Sequence, residues 1–251
     1  MGDCNGVSLA QAIHEAHLVK AGCLDPSEHL RYHHPIPSGK TSEGVYIDDH
    51  LIVQVLLRSA HLQGLRARDD ELLEKSRASY DQGGFPRSLS KSFTKLLVFK
   101  AWGTEVHGET GRVGSPLEQL VHLAGLIVSV LQLSRISRKL MQKLVGLIVH
   151  PLNHRRELLA VFHEFFGWLE SLPEDAWQPW EQTPRDELVS MTLCLPFAQA
   201  NIRWPVSSRL TATDATLVMG GGAETRIPPR LAEQLYRALP VRSPQGPARP
   251  P

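Results

Sequence analysis

The chain has 251 residues, 42% of them apolar and 21% charged, with a formal net charge of +1. That composition excludes wholesale disorder and a global field for polyanions, so any nucleic-acid affinity must come from local basic patches. The length suits two lobes, and three widely spaced cysteines (Cys4, Cys23, Cys194) argue against a disulfide framework and for a reducing compartment.

Residues 1–20 carry Asp3, Glu15 and two histidines where a signal peptide would carry an apolar core. The longest apolar stretch, Leu123–Leu131, is short of the roughly 20 residues that cross a bilayer. The expectation is a soluble intracellular protein, cytoplasmic or nuclear, with no membrane partner.

Residues 7–20 have helical period, with Val7, Ala10, Ile13 and His17 on one face and Gln11, Glu15 and Lys20 elsewhere, and Gly22 ends the helix. A Pro- and His-rich loop follows (Pro26, His33, His34, Pro35, Pro37, Gly39). Residues 44–53 read Gly-Val-Tyr-Ile-Asp-Asp-His-Leu-Ile-Val, the pattern of a tight hairpin with Asp48 and Asp49 at its tip. Asp69 and Asp70 stand where a helix begins, and Glu71–Tyr80 reads as helical up to Gly83-Gly84. Leu96–Trp102 and Glu105–His107 are strand-like, with a turn at Gly108-Glu109-Thr110-Gly111. Beyond Pro116 the pattern predicts amphipathic helices over Leu117–Leu133, Arg138–Val149 and Arg155–Leu172. A Trp- and Pro-rich linker (Pro173–Pro184) precedes a fourth helical stretch over Glu187–Asn201. Residues 206–220 look strand-like, and the Pro/Arg/Gly-rich tail from Pro240 reads as disordered.

Two ionised carboxylates side by side in a half-buried turn repel one another, and a divalent cation neutralises both. Magnesium takes carboxylate and phosphate oxygens as ligands. Two such ions, roughly 3.5–4 Å apart, clamp the attacking and leaving oxygens of a phosphoryl displacement.

The segment Tyr46-Ile47-Asp48-Asp49 resembles the Tyr-x-Asp-Asp catalytic hairpin of retrotransposon-type reverse transcriptases. Other segments follow in the order that family requires. Met1-Gly2-Asp3-Cys4-Asn5-Gly6 resembles the glycine turn that cradles the templating base and the incoming nucleotide, which implies binding roles for Gly2, Asn5 and Tyr46. Ser90-Lys91-Ser92-Phe93 resembles the segment whose lysine lies near the triphosphate, so that Lys91 would serve the departing pyrophosphate. Phe99–Thr104 resembles the primer-grip hairpin, with Trp102 and Gly103 positioning the primer end. On Arg135–Leu147, Arg135, Arg138, Lys139 and Lys143 share one helical face, while Ile136, Leu140, Leu144 and Leu147 form an apolar seam. Such a face suits phosphate contacts that position a duplex. Leu210–Thr216 with Gly220-Gly221-Gly222 resembles the first strand of a ribonuclease H domain, with Asp214 as its first metal ligand.

The resemblance implies an α+β chain. Residues 1–114 would be a partial polymerase palm, 115–204 a helical thumb or connection, 205–239 a truncated ribonuclease H-like start and 240–251 a disordered tail. It further implies an RNA-directed DNA polymerase, a nucleotidyltransferase using Mg²⁺ or Mn²⁺ at Asp48 and Asp49. The partners would be a template–primer duplex, a deoxynucleoside triphosphate and the remainder of a polyprotein. The family holds its metals with a third carboxylate, on a strand upstream of the opening turn. The chain starts at that turn, so the expectation is a fragment inactive by itself.

Two rival readings remain. One is a non-catalytic nucleic-acid-binding scaffold derived from a retroelement, using the basic helix and Trp102. The other is a zinc site drawn from Cys4, His14, His17, Cys23, His33 and His34, whose spacings match no common finger. A hydrolase has no support, since no Gly-x-Ser-x-Gly occurs.

Overall fold

The computed structural model describes residues 5–31, 34, 36–215 and 219–238. It is an α+β protein whose helices accompany small antiparallel sheets. Its contacts divide it into two compact units, Met1–Ser92 with Pro205–Pro251, and Phe93–Trp204.

In the first unit, α1 (Gly6–Lys20) is closed by Ala21, and Gly22 leaves the helix at φ +76°. Strands β1 (Thr41–Tyr46) and β2 (Asp49–Gln54) pair antiparallel from Thr41↔Gln54 to Tyr46↔Asp49, leaving a two-residue bend. After α2 (Arg58–Leu62) comes α3 (Arg68–Gly83), which packs against β2 and α1. The cap of α3 is Ala67 rather than an aspartate; Asp70 lies within the first turn and its Oδ2 accepts the Ala67 N–H at 3.0 Å. Gly84 ends α3 in the left-handed conformation. The apolar core here is small, comprising Leu18, Cys23, Leu24, Val45 and Leu72. The same unit holds the hairpin of β9 (Arg209–Ala215) and β10 (Gly220–Arg226), then α8 (Pro229–Ala238).

In the second unit, β3 (Val98–Ala101), β4 (Thr104–His107), β5 (Arg112–Gly114) and β8 (Gln199–Asn201) form a sheet in the order β3-β4-β5-β8. Beside it lie α4 (Leu117–Leu131), α5 (Arg138–Leu152), α6 (Phe165–Ser171) and α7 (Gln182–Cys194). The short strands β6 (Arg135–Ser137) and β7 (Trp177–Pro179) pair between them. Leu123 and Ile127 of α4, Met141 and Ile148 of α5, Phe165 of α6 and Leu188 of α7 meet in one apolar core. Side chains satisfy the helix ends. Ser137 Oγ accepts from Leu140 N at the start of α5, and Glu187 on α7 accepts the Glu164 and Phe165 N–H groups at 3.0 and 2.9 Å. Trp180 Nε1 and Arg185 donate to the Leu133 and Leu131 carbonyls beyond and at the end of α4.

Several sequence expectations are corrected here. Arg135 lies in β6, not on a helix, because Ser137 is extended and caps α5. The seam of α5 runs through Met141, Leu144, Val145, Ile148 and Leu152, and Leu147 is 53% exposed. The stretch Arg155–Leu172 is broken into a 3-10 turn at Arg156–Val161 and then α6. The fourth helix begins at Gln182 and ends at Cys194, since Gln199–Asn201 extends to pair with β5. Pro240 onward lies outside the described residues.

Shifting the seam has a measurable consequence. Ile148→Ala, at a fully buried site, lowers stability by about 3 kcal/mol. Leu147→Ala changes it by less than about 0.5 kcal/mol, since its side chain already meets solvent. Urea midpoints of the two variants check this; equal losses would restore Leu147 to the seam.

Candidate functional site

The acidic hairpin forms as a hairpin. Ile47 and Asp48 make the bend between Tyr46, which ends β1, and Asp49, which begins β2. Asp48 and Asp49 are both exposed, and Tyr46 is 57% exposed. Neither side-chain carboxylate has a hydrogen bond or ion pair among the described residues. Two carboxylates adjacent in sequence are thus exposed to solvent, one in the bend and one at the first position of β2.

The bend is built on an unusual backbone. Ile47 sits at φ +56°, a region that β-branched residues rarely occupy. Its peptide groups are gripped from α1. Ile47 N–H donates to Gln11 Oε1 at 2.6 Å, and Ile47 O accepts from His14 Nδ1 at 2.8 Å. Gln11 Nε2 donates to Val45 O at 3.0 Å and to Glu15 Oε1 at 2.6 Å. The face of α1 turned to the hairpin is thus polar. Val7, Ala10 and Ile13, expected on a common face with His17, are exposed, while Leu18 is buried and His17 half-buried. The turn's own N–H and C=O need partners, and a polar helix face supplies them.

Beneath the bend, β1 and β2 contribute a buried polar cluster. Glu43 has no exposed surface; its Oε1 accepts from His50 Nε2 at 2.8 Å and its Oε2 from Leu24 N at 2.6 Å. His14 Nε2 lies 2.8 Å from the Tyr80 hydroxyl, and His17 Nε2 lies 2.8 Å from Ser79 Oγ. Burial pushes the Tyr80 phenol well above its ordinary range, with Cys23 and Glu43 adding to it, so its O–H is retained as a donor. Burial, then the Glu43 charge, pushes the Cys23 thiol up to about 11. His29 is buried and accepts from Arg31 Nε at 2.8 Å; burial first, then the Arg31 charge, holds its pKa below the ordinary 6.5. Sequence periodicity does not reveal this cluster, because its members come from five separate segments.

The other expected site residues fall on several elements of the two units. Gly2 lies outside the described residues, as do Cys4 and His33. Asn5 is exposed at the start of α1. Lys91 is exposed in a turn whose Lys91 N–H donates to Ser88 O. Trp102 and Gly103 make the bend between β3 and β4, at φ +52° and +72°, and a Cβ on Gly103 would come within 3.0 Å of His150 Nε2. Arg138 Nη1 donates to Leu172 O at 3.3 Å, tying α5 to the end of α6, so this arginine has a structural partner. Lys139 and Lys143 are exposed on α5. Asp214 is exposed on β9 opposite Gly221. Among the described residues no group of three or more His, Cys, Asp or Glu side chains could hold a metal ion. For the zinc reading, His14 and His17 are engaged elsewhere, and Cys23 Sγ is directed to Leu72 O at 3.8 Å. No helix among the described residues is long and apolar enough to cross a membrane.

No protein-family model, curated protein or solved structure matches the chain.

Two measurements probe the buried cluster. At pH 8, iodoacetamide should alkylate Cys23 at least about tenfold more slowly than the half-exposed Cys194, read by site-resolved mass spectrometry. Equal rates would show the Cys23 thiol to be accessible and ionised. For His29, the folded chain resists protonation more than the unfolded chain does, so its contribution is complete above pH 6.5 and declines as pH falls below that value toward the folded pKa. Urea unfolding of His29→Gln should therefore lose less stability than the parent between pH 7.5 and 5; parallel losses would contradict it.

Proposed function

We propose that the chain is a fragment of a retroelement RNA-directed DNA polymerase, with Asp48 and Asp49 as two of its metal ligands. The observation that carries this reading is a pair of consecutive exposed carboxylates after Tyr46, Asp48 in the two-residue bend and Asp49 at the start of β2. A bend between two strands lets neighbouring acids share a cation while leaving coordination positions for phosphate oxygens. Lys91, Trp102 and Gly103 would serve the nucleotide and the primer end, and α4 to α7 would form the thumb or connection. The β9–β10 hairpin, with Asp214 on it, would be the start of a ribonuclease H-like domain. Two-metal transfer in that family depends on a third carboxylate besides the pair at Asp48 and Asp49.

A non-catalytic nucleic-acid scaffold is the second reading. It is favoured by Lys139 and Lys143, exposed one turn apart on α5 and without an ion-pair partner among the described residues. Such lysines contact phosphates and release counterions.

One experiment separates the two. Binding of a deoxynucleoside triphosphate to the chain loaded with an RNA–DNA template–primer is measured with and without Mn²⁺, in the parent and in Asp48→Asn and Asp49→Asn. The polymerase reading expects Mn²⁺-dependent nucleotide retention that both variants abolish, with duplex affinity unchanged within about threefold. Salt-sensitive duplex binding with no Mn²⁺-dependent nucleotide retention in any of the three proteins would leave only the scaffold.

A further inference from the structure

The structure assigns Gln11 and His14 as positioning residues: together they hold Ile47 in its left-handed conformation and thereby set where Asp48 and Asp49 stand. That these acids then act on a metal rests on the polymerase reading; the clamp itself does not.

The geometry leaves little freedom. An isoleucine at φ +56° is strained by its branched Cβ, and the strain persists only where surrounding groups over-determine the conformation. A two-residue hairpin needs a left-handed residue in its bend, a place that glycine, asparagine or aspartate usually fills. Here isoleucine fills it, and both of its peptide groups are held from outside the hairpin. The Gln11 amide is oriented without ambiguity. Ile47 N–H can only donate, so the oxygen of Gln11 must face it. The nitrogen then donates to Val45 O and Glu15 Oε1, and neither of those atoms can donate in return when Glu15 is ionised. For His14, Ile47 O can only accept, so Nδ1 carries the hydrogen. Nε2 meets the Tyr80 hydroxyl, and α3 in this way supports the ring from behind.

The chain therefore uses tertiary hydrogen bonds where most hairpins use a permissive residue. If α1 shifts, Ile47 relaxes out of the left-handed region and the bend reorganises. The consequence would be that the two acids are presented together only when α1 is docked, which would couple the hairpin to whatever moves that helix.

The test is a double-mutant cycle in the full chain, using Ile47→Gly to remove the Cβ penalty that the clamp opposes. Gln11→Ala should lower the urea midpoint in both backgrounds, and by about twofold or more further in Ile47→Gly, because in the parent the release of Ile47 from its strained conformation offsets part of the lost hydrogen bonding. His14→Ala should behave in the same way. His14→Asn, whose amide can still donate toward Ile47 O, should recover most of the loss and so serves if either alanine variant fails to fold. Equal shifts in both backgrounds would overturn the assignment, since ordinary packing does not depend on the Cβ of residue 47. Mn²⁺ binding that depends on Asp48 is read in parallel. Gln11→Ala should weaken it about tenfold or more, and less in the Ile47→Gly background. Absence of Mn²⁺ binding in the parent would count against the polymerase reading alone, while the urea cycle still decides the clamp.

Discussion

The first unit is organised around a buried carboxylate. Glu43 occupies an inward position on β1 where an apolar residue would ordinarily stand, and it has no exposed surface. Removing an acid from water is costly unless its lone pairs are met, and here both oxygens are met. His50 on β2 supplies one hydrogen bond and the Leu24 N–H the other. The second bond reaches a residue at φ +56°, so the same side chain that binds the hairpin together also secures the strained exit from α1. The Glu43 backbone adds two further ties, accepting from Leu30 N at 2.7 Å and donating to Glu28 O at 2.8 Å. One residue thus joins β1, β2, the end of α1 and the loop between them.

The two units are held by different physics. The second relies on a large apolar core with an aromatic run, in which Phe162 and Phe165 centroids lie 4.6 Å apart and Trp168 stacks on Trp180 at 5.7 Å. The first has only a handful of buried apolar side chains and adds a polar network of Gln11, His14, Glu43, His50 and Tyr80. Area burial is tolerant of small shifts, whereas hydrogen bonds in a buried network fail steeply with distance and angle. The bend at Ile47 is held by the second kind of restraint.

The acidic hairpin was legible in the sequence as a hairpin, because aliphatic and β-branched flanks around Asp48-Asp49 have no competing helical pattern. Its bend, however, falls one residue earlier, at Ile47-Asp48, with Asp49 already paired in β2. The helices α4 and α5 were legible as well, each carrying a periodic apolar stripe. The short strands β5, β6, β7 and β8 were not, since each has three residues and exists through its partner rather than through any propensity of its own. Arg135 illustrates the failure. Its spacing from Lys139 fits a helix, but pairing of Ile136 with Gln178 and the cap at Ser137 hold it in a strand.

Local pattern by itself determined that Asp48 and Asp49 share a tight turn between strands and that an amphipathic helical block follows. It did so because period and turn chemistry are properties of neighbouring residues. Only the tertiary structure decided which face of α1 turns inward, that isoleucine can occupy a left-handed bend, and that a glutamate can take a core position. Each of those depends on hydrogen-bond partners tens of residues away, brought near by folding and invisible to any window along the chain.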